Sequence, residues 1–147
     1  MATKSAPFSM RLSKRMAAFV DQEARRTSRS RGAIVEALAE EAMRMRLFPG
    51  IAFNGPDSER RAWVMGTGLD VWQVVDAYRD IGSVERMAED GSASEHQIRL
   101  ALAYCEQFPE EIDAAIADNR RPIEQLEEEY PFIQVVRIPS EQASDAA

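Results

Sequence analysis

The sequence predicts a mainly α-helical chain with short β segments. A strand-helix-helix unit comes first, and a small helical unit with a β-hairpin follows. Three observations carry this reading. Residues 8–12 alternate apolar and polar, Phe8-Ser9-Met10-Arg11-Leu12, which is the two-residue period of a half-buried strand. Two stretches between positions 13 and 49 place apolar residues three and four apart, the spacing of one helix face. Beyond position 50, two short β-prone runs flank dense turn chemistry, and capped helical patterns then succeed one another.

Each element has its local cause. Phe8, Met10 and Leu12 share one face of the strand, and Ser9 and Arg11 share the other, with Pro7 before them. Ser13 suits an N-cap, and Met16, Phe19, Val20 and Ala24 form the apolar stripe of the first helix, expected to stop near Arg26. Thr27-Ser28-Arg29 reads as a turn. Ser30 caps a second helix carrying Ile34, Leu38, Ala42 and Met45, which Pro49-Gly50 closes. Ile51-Ala52-Phe53 and Arg61-Ala62-Trp63-Val64-Met65 are strand candidates around the turn residues Asn54-Gly55-Pro56-Asp57. Gly66-Thr67-Gly68 is a tight turn, and Asp70 starts a helix with Val71, Val74, Val75 and Tyr78 inward. A short helix spans Val84 to Glu89. Ser94-x-x-Gln97 fits a capping box ahead of Ile98, Leu102 and Cys105. Pro109 and Pro122 suit two further helix starts. Tyr130 to Ile138 is β-prone, and residues 139–147 are small and polar, expected to be disordered. The divisions expected are residues 1–46, 47–119 and 120–147.

The chain of 147 residues carries a net charge of −7, which at first argues against nucleic acid. The distribution reverses that argument. Residues 1–46 hold ten lysines and arginines against five acids, a net of +5, and residues 47–147 hold eight against twenty, a net of −12. A basic end suits a polyanion and an acidic end suits a basic partner surface. No apolar run approaches the ~18 residues of a membrane span, and no apolar stretch follows Lys4 as a secretory leader would. The expected location is therefore the cytoplasm.

The catalytic inventory is thin. His96 is the only histidine, so no histidine metal cluster is available. Cys105 lies on an apolar stripe and reads as core, and Gly66-Thr67-Gly68 lacks the third glycine of a dinucleotide fingerprint. Glu127-Glu128-Glu129 point different ways on a helix and read as a solvated face. Trp63 and Trp72 read as core or interface. No catalytic residue, metal or cofactor is expected.

Residues 8–43, FSMRLSKRMAAFVDQEARRTSRSRGAIVEALAEEAM, resemble the ribbon-helix-helix family of bacterial repressors and antitoxins. The resemblance implies a homodimer in which two copies of the strand pair antiparallel. That ribbon fits the major groove of double-stranded operator DNA. It would present Ser9 and Arg11 to the bases, Arg11 reaching a guanine edge with two hydrogen bonds. Pro7 occupies the third alternating position, so each chain offers two polar side chains to the bases, and cooperative tandem binding would have to supplement them. The family binds a backbone phosphate at the start of its second helix, here Ser28, Arg29, Ser30 and Arg31, where unpaired helix N–H groups favour an anion.

The stretches RRAWVMGTGLDVWQVVDAYRD and ALAYCEQFPEEIDAAI resemble a small helix-turn-helix-like domain of antitoxins whose toxins are PIN-like ribonucleases. Its second helix, Glu95 to Gln107, exposes Glu95, His96, Arg99 and Glu106, a set that DNA repels. A dimerisation or toxin-docking scaffold is the better expectation for this part. The acidic arm would then lie across a basic ribonuclease groove, with Glu124, Glu127 and Glu128 (and Glu129) facing its cations and Phe132 or Ile133 filling an apolar pocket. The implied function is an antitoxin that represses its own operon as a dimer or tetramer and neutralises a PIN-like toxin. Two alternatives stay open: a stand-alone regulator without a toxin, and an interaction scaffold that binds no DNA.

Overall fold

The structure is a computed structural model describing residues 5–57, 59–132 and 136. Helix α1 spans Lys14–Thr27 and α2 spans Arg31–Leu47. Ser13 starts α1 by accepting the Met16 N–H at 3.2 Å. Ser30 starts α2 by accepting the Ala33 N–H at 3.1 Å. Each cap satisfies one of the amides that a helix start leaves without a partner. Helix α1 runs through Thr27, whose hydroxyl donates to the Glu23 carbonyl at 2.7 Å, past the expected stop at Arg26. Ser28 then turns into the left-handed region, φ 54°, and the chain reverses into α2.

Residues 8–12 form no strand within the single chain. Five residues with no neighbouring strand have nothing to satisfy their backbone groups, and the partner expected from the sequence is a second copy. The consequence for packing is plain. Among the described residues before position 48 only Val20 and Ile34 are buried, whereas Phe8, Met10, Met16, Phe19, Leu38, Met43 and Met45 stay exposed.

Strands β1 (Ile51–Asn54) and β2 (Arg61–Val64) form an antiparallel hairpin, with Ile51 opposite Val64 and Phe53 opposite Ala62. The ladder ends at Val64, one residue short of the expected Met65, as the Thr67 N–H folds back onto the Val64 carbonyl at 3.2 Å. Gly55 opens the hairpin loop at φ +109°, and a Cβ there would stand 2.5 Å from the Glu59 carbonyl oxygen, so no other residue fits without moving the loop.

Five further helices follow among the described residues: α3 (Val71–Ile81), α4 (Val84–Ala88), α5 (Glu95–Gln107), α6 (Pro109–Asn119) and α7 (Ile123–Glu129). The starts follow the expected chemistry. The Asp70 N–H donates to Gln73 Oε1 at 2.8 Å, the Ser94 N–H donates to Gln97 Oε1 at 2.8 Å, and Pro109 occupies the first turn of α6. Helix α3 is the centre of the second part, packed on α5 and α6. Its Val71, Val74 and Val75 join Ile51, Val64, Ile98, Ala101, Tyr104, Ile112 and Ile116 in one buried cluster. Among the described residues no helix is long and apolar enough to cross a membrane.

The division expected at position 46 falls within the last turn of α2. Helix α2 is tied to the second part by Arg44, which donates to the Tyr104 hydroxyl at 2.8 Å and to Glu111 at 2.9 Å, and lies 3.8 Å over the Phe108 ring. Glu40, one turn earlier, braces the same guanidinium at 2.9 Å. Against the cost of burial, the hydrogen bonds to Tyr104 and Glu40 and the charge of Glu111 raise the Arg44 guanidinium above its ordinary range, and burial together with the Glu111 hydrogen bond pushes the Tyr104 hydroxyl well above the usual phenol range.

Candidate nucleic-acid interface

The expected base-reading residues, Ser9 and Arg11, are both exposed, and Arg11 makes no ion pair among the described residues. The apolar side of this segment is as bare. Phe8 is 83% and Met10 56% exposed. They stand across a recess of about 960 Å³ from Gly32, Val35 and Ala39 of α2. Ser9 and Arg11 line the same recess, so the single chain does not separate the polar and apolar faces that the alternation predicts.

The corner between α1 and α2 gathers the four expected phosphate ligands. Ser28 and Ser30 flank Arg29 at the helix start, with the Ser30 hydroxyl already accepting the Ala33 N–H. Arg31 pairs with Asp21 at 2.9 Å, and both side chains are largely solvated, a contact that a phosphate can outcompete at little cost because exposed ion pairs contribute about 0–1 kcal/mol. Replacing Ser30 by alanine is expected to destabilise the chain by about 1 kcal/mol through loss of the cap. Urea unfolding reads this directly, and an unchanged midpoint would show that the cap contributes nothing.

Two residues at this corner escaped the sequence reading. Arg26, in the last turn of α1, pairs with Glu23 on its own helix and with Asp57 of the hairpin loop at 2.7 Å. The hydrogen bond from Arg26 holds the Asp57 carboxyl below the usual carboxylate range, with help from the charges of Arg26 and Arg29. The pair joins two turns that are adjacent only in three dimensions. The one signal in the sequence was an acid in turn chemistry whose role beyond the turn had no visible partner.

Helix α5 matches the range expected for the second helix of a helix-turn-helix. Its exposed face carries Glu95, His96, Arg99 and Glu106. Arg99 is held by Glu85 at 3.2 Å and Glu95 at 3.7 Å, so the face keeps its acidic character and offers little to a phosphate backbone. Cys105 is half-buried on the same helix, and burial pushes its thiol up, away from the reactive thiolate. Trp72 packs on the core and donates its indole N–H to Asp70 at 3.2 Å, while Trp63 is half-buried in the hairpin opposite Ala52.

In the arm, Glu124, Glu127 and Glu128 are exposed on α7, and their spacing puts them on one helix face. Glu129 turns back to Arg121 at 2.6 Å. Phe132 is 82% exposed, its ring 5.9 Å from that of Tyr130. Residues 130–132 form no strand. Ile133, most of the β-prone run and residues 139–147 lie outside the described residues. Comparison with family models, with characterised proteins and with solved structures finds no match to this chain.

Proposed function

We propose that this chain is a dimeric operator-binding repressor whose first ~45 residues read DNA through a two-stranded ribbon, and that it acts as the antitoxin of a PIN-like ribonuclease. The observation that carries the first half is the unfinished N-terminal core. A single chain leaves Phe8, Met10, Met16, Phe19 and Leu38 exposed around two buried residues. Exposed large apolar side chains gathered on so short a segment suit an interface, and a second copy would supply both the missing strand and the missing cover. Pairing two such chains doubles the local excess of lysine and arginine on one assembly, as DNA association requires.

The test is fluorescence anisotropy on a duplex from the chain's own upstream region, at two salt concentrations, with sedimentation to read the mass. A dimer whose binding weakens steeply with salt is expected. A monomer, or the absence of binding at low salt, would remove the DNA reading and leave the scaffold.

The antitoxin half rests on the resemblance and on the acidic face of α7. Its partner is a protein with a basic, RNA-binding groove. A chain ending at Asn119 is expected to lose most of its inhibition of the toxin's ribonuclease activity while keeping its operator affinity. Undiminished inhibition by the shortened chain would dismiss the arm and move toxin docking to the second part.

A further inference from the structure

The phosphate corner of the N-terminal unit is exposed, and the hairpin loop reaches its edge at Arg26. Arg60 fastens that loop: it donates to the Phe53 carbonyl at 3.0 Å, to the Gly55 carbonyl at 3.1 Å, and to both carboxylate oxygens of Glu41 on α2. Gly55 gives the loop its tight bend. Held this way, the loop carries Asp57 to the guanidinium of Arg26 at 2.7 Å. Arg29, the residue next to the α2 cap, lies across the same recess of about 480 Å³, with Thr27 and Pro56 completing its walls.

The charges at the corner decide what this arrangement does. Arg26, Arg29 and Arg31 bring three positive charges, and Glu23, Asp57 and Asp21 bring three negative ones. The local sum is zero at the spot where the ribbon reading needs a positive potential. Glu23 belongs to α1 and braces Arg26 from its own helix, whereas Asp57 reaches in from the second part of the chain. Asp57 is thus a carboxylate on an exposed arginine beside the start of α2.

We propose that Asp57 is an autoinhibitory phosphate mimic, delivered by the hairpin loop, that a DNA phosphate must displace from Arg26, beside Arg29. The inference rests on the DNA-binding reading and adds Arg26 to the phosphate-binding residues. It gives the acidic second part a direct hand in operator affinity, since any partner that draws the loop away from α1 frees the corner. Removing the carboxylate leaves a net +1 at each corner of the dimer.

The experiment compares the full-length chain with Asp57→Asn, Glu59→Gln and the double variant Arg26→Ala/Asp57→Asn, each on its upstream duplex and on an unrelated duplex of equal length. Asp57→Asn is expected to tighten both complexes by about 3- to 10-fold at 0.1 M salt, as expected for one close, partly solvated charge. The dependence of log K on log salt should steepen by roughly one per protomer. Phosphate contacts carry no sequence information, so the two duplexes gain alike. Glu59→Gln makes the same change in net charge on the same loop and is expected to leave affinity within twofold. The double variant should lose the gain. Wild-type affinity in Asp57→Asn, an equal gain from Glu59→Gln, or a gain that survives loss of Arg26 would each overturn the inference while the DNA reading stands. Absence of binding by all four proteins at low salt would overturn both.

Discussion

Replacement of Arg11 by alanine is expected to abolish most of the chain's preference for its own operator while leaving its fold intact. Arg11 is exposed and unpaired among the described residues, so truncating it removes no internal contact. Ser9 is the other polar side chain on the face the sequence predicts, and a hydroxyl accepts several bases, so in the proposed ribbon Arg11 would carry nearly all the base discrimination. A bidentate arginine–guanine contact is worth about 1–3 kcal/mol. A dimer makes two such contacts, so the ratio of operator to unrelated-duplex affinity should fall on the order of 100-fold. The affinity for unrelated duplex should change only by the loss of one charge per chain. Anisotropy titrations on both duplexes, at one salt concentration, measure the ratio. An unchanged ratio would mean that residues 8–12 do not read bases, and the scaffold reading would take precedence.

The second large effect is on stability and lies at Tyr104. This ring has no exposed surface. It sits among Phe48, Phe53 and Phe108, with centroids 5.2, 6.5 and 4.9 Å away. Its hydroxyl is shared by Arg44 and Glu111. Tyr104→Ala should therefore cost about 3–5 kcal/mol, because it removes a large buried ring and leaves a cavity. Tyr104→Phe should cost about 1 kcal/mol, the worth of a satisfied buried hydrogen bond. Arg44→Ala should fall between them, since it strips a charged donor from Tyr104 and Glu111 and a cation from the face of Phe108. Denaturant unfolding of the three variants orders them. Equal costs for Tyr104→Phe and Tyr104→Ala would place the stabilisation in the hydroxyl network, not in ring burial.

Tyr104 also shows what joins the two parts of the chain. Arg44 belongs to α2, the helix whose start is the expected phosphate site, and its partners belong to α5 and α6. Together with the Arg60–Glu41 and Arg26–Asp57 pairs, it fixes the acidic part against the basic part. These three contacts make the two charge-divided parts one packed unit.

Most local elements were legible in the sequence because their causes are local. Ser13, Ser30 and Ser94 announce helix starts through side chains that reach only three residues ahead, and the caps form as expected. The turn residues 54–57 bracket the hairpin, and the helical spacing of Val71, Val74 and Val75 marks the face that becomes the core. The charge division between the two ends is likewise a property of the chain alone. The strand over residues 8–12 is legible as a pattern, but the single chain does not form it, since no neighbouring strand satisfies its backbone; the proposed dimer would supply one. The tertiary structure alone decided which charges meet. Arg26 and Asp57, Arg44 and Glu111, and Arg60 and Glu41 are distant in sequence and are joined only by how the hairpin packs on α2 and by side chains that reach across between elements. Periodicity and capping are short-range consequences of backbone geometry, whereas an ion pair between elements depends on how those elements pack.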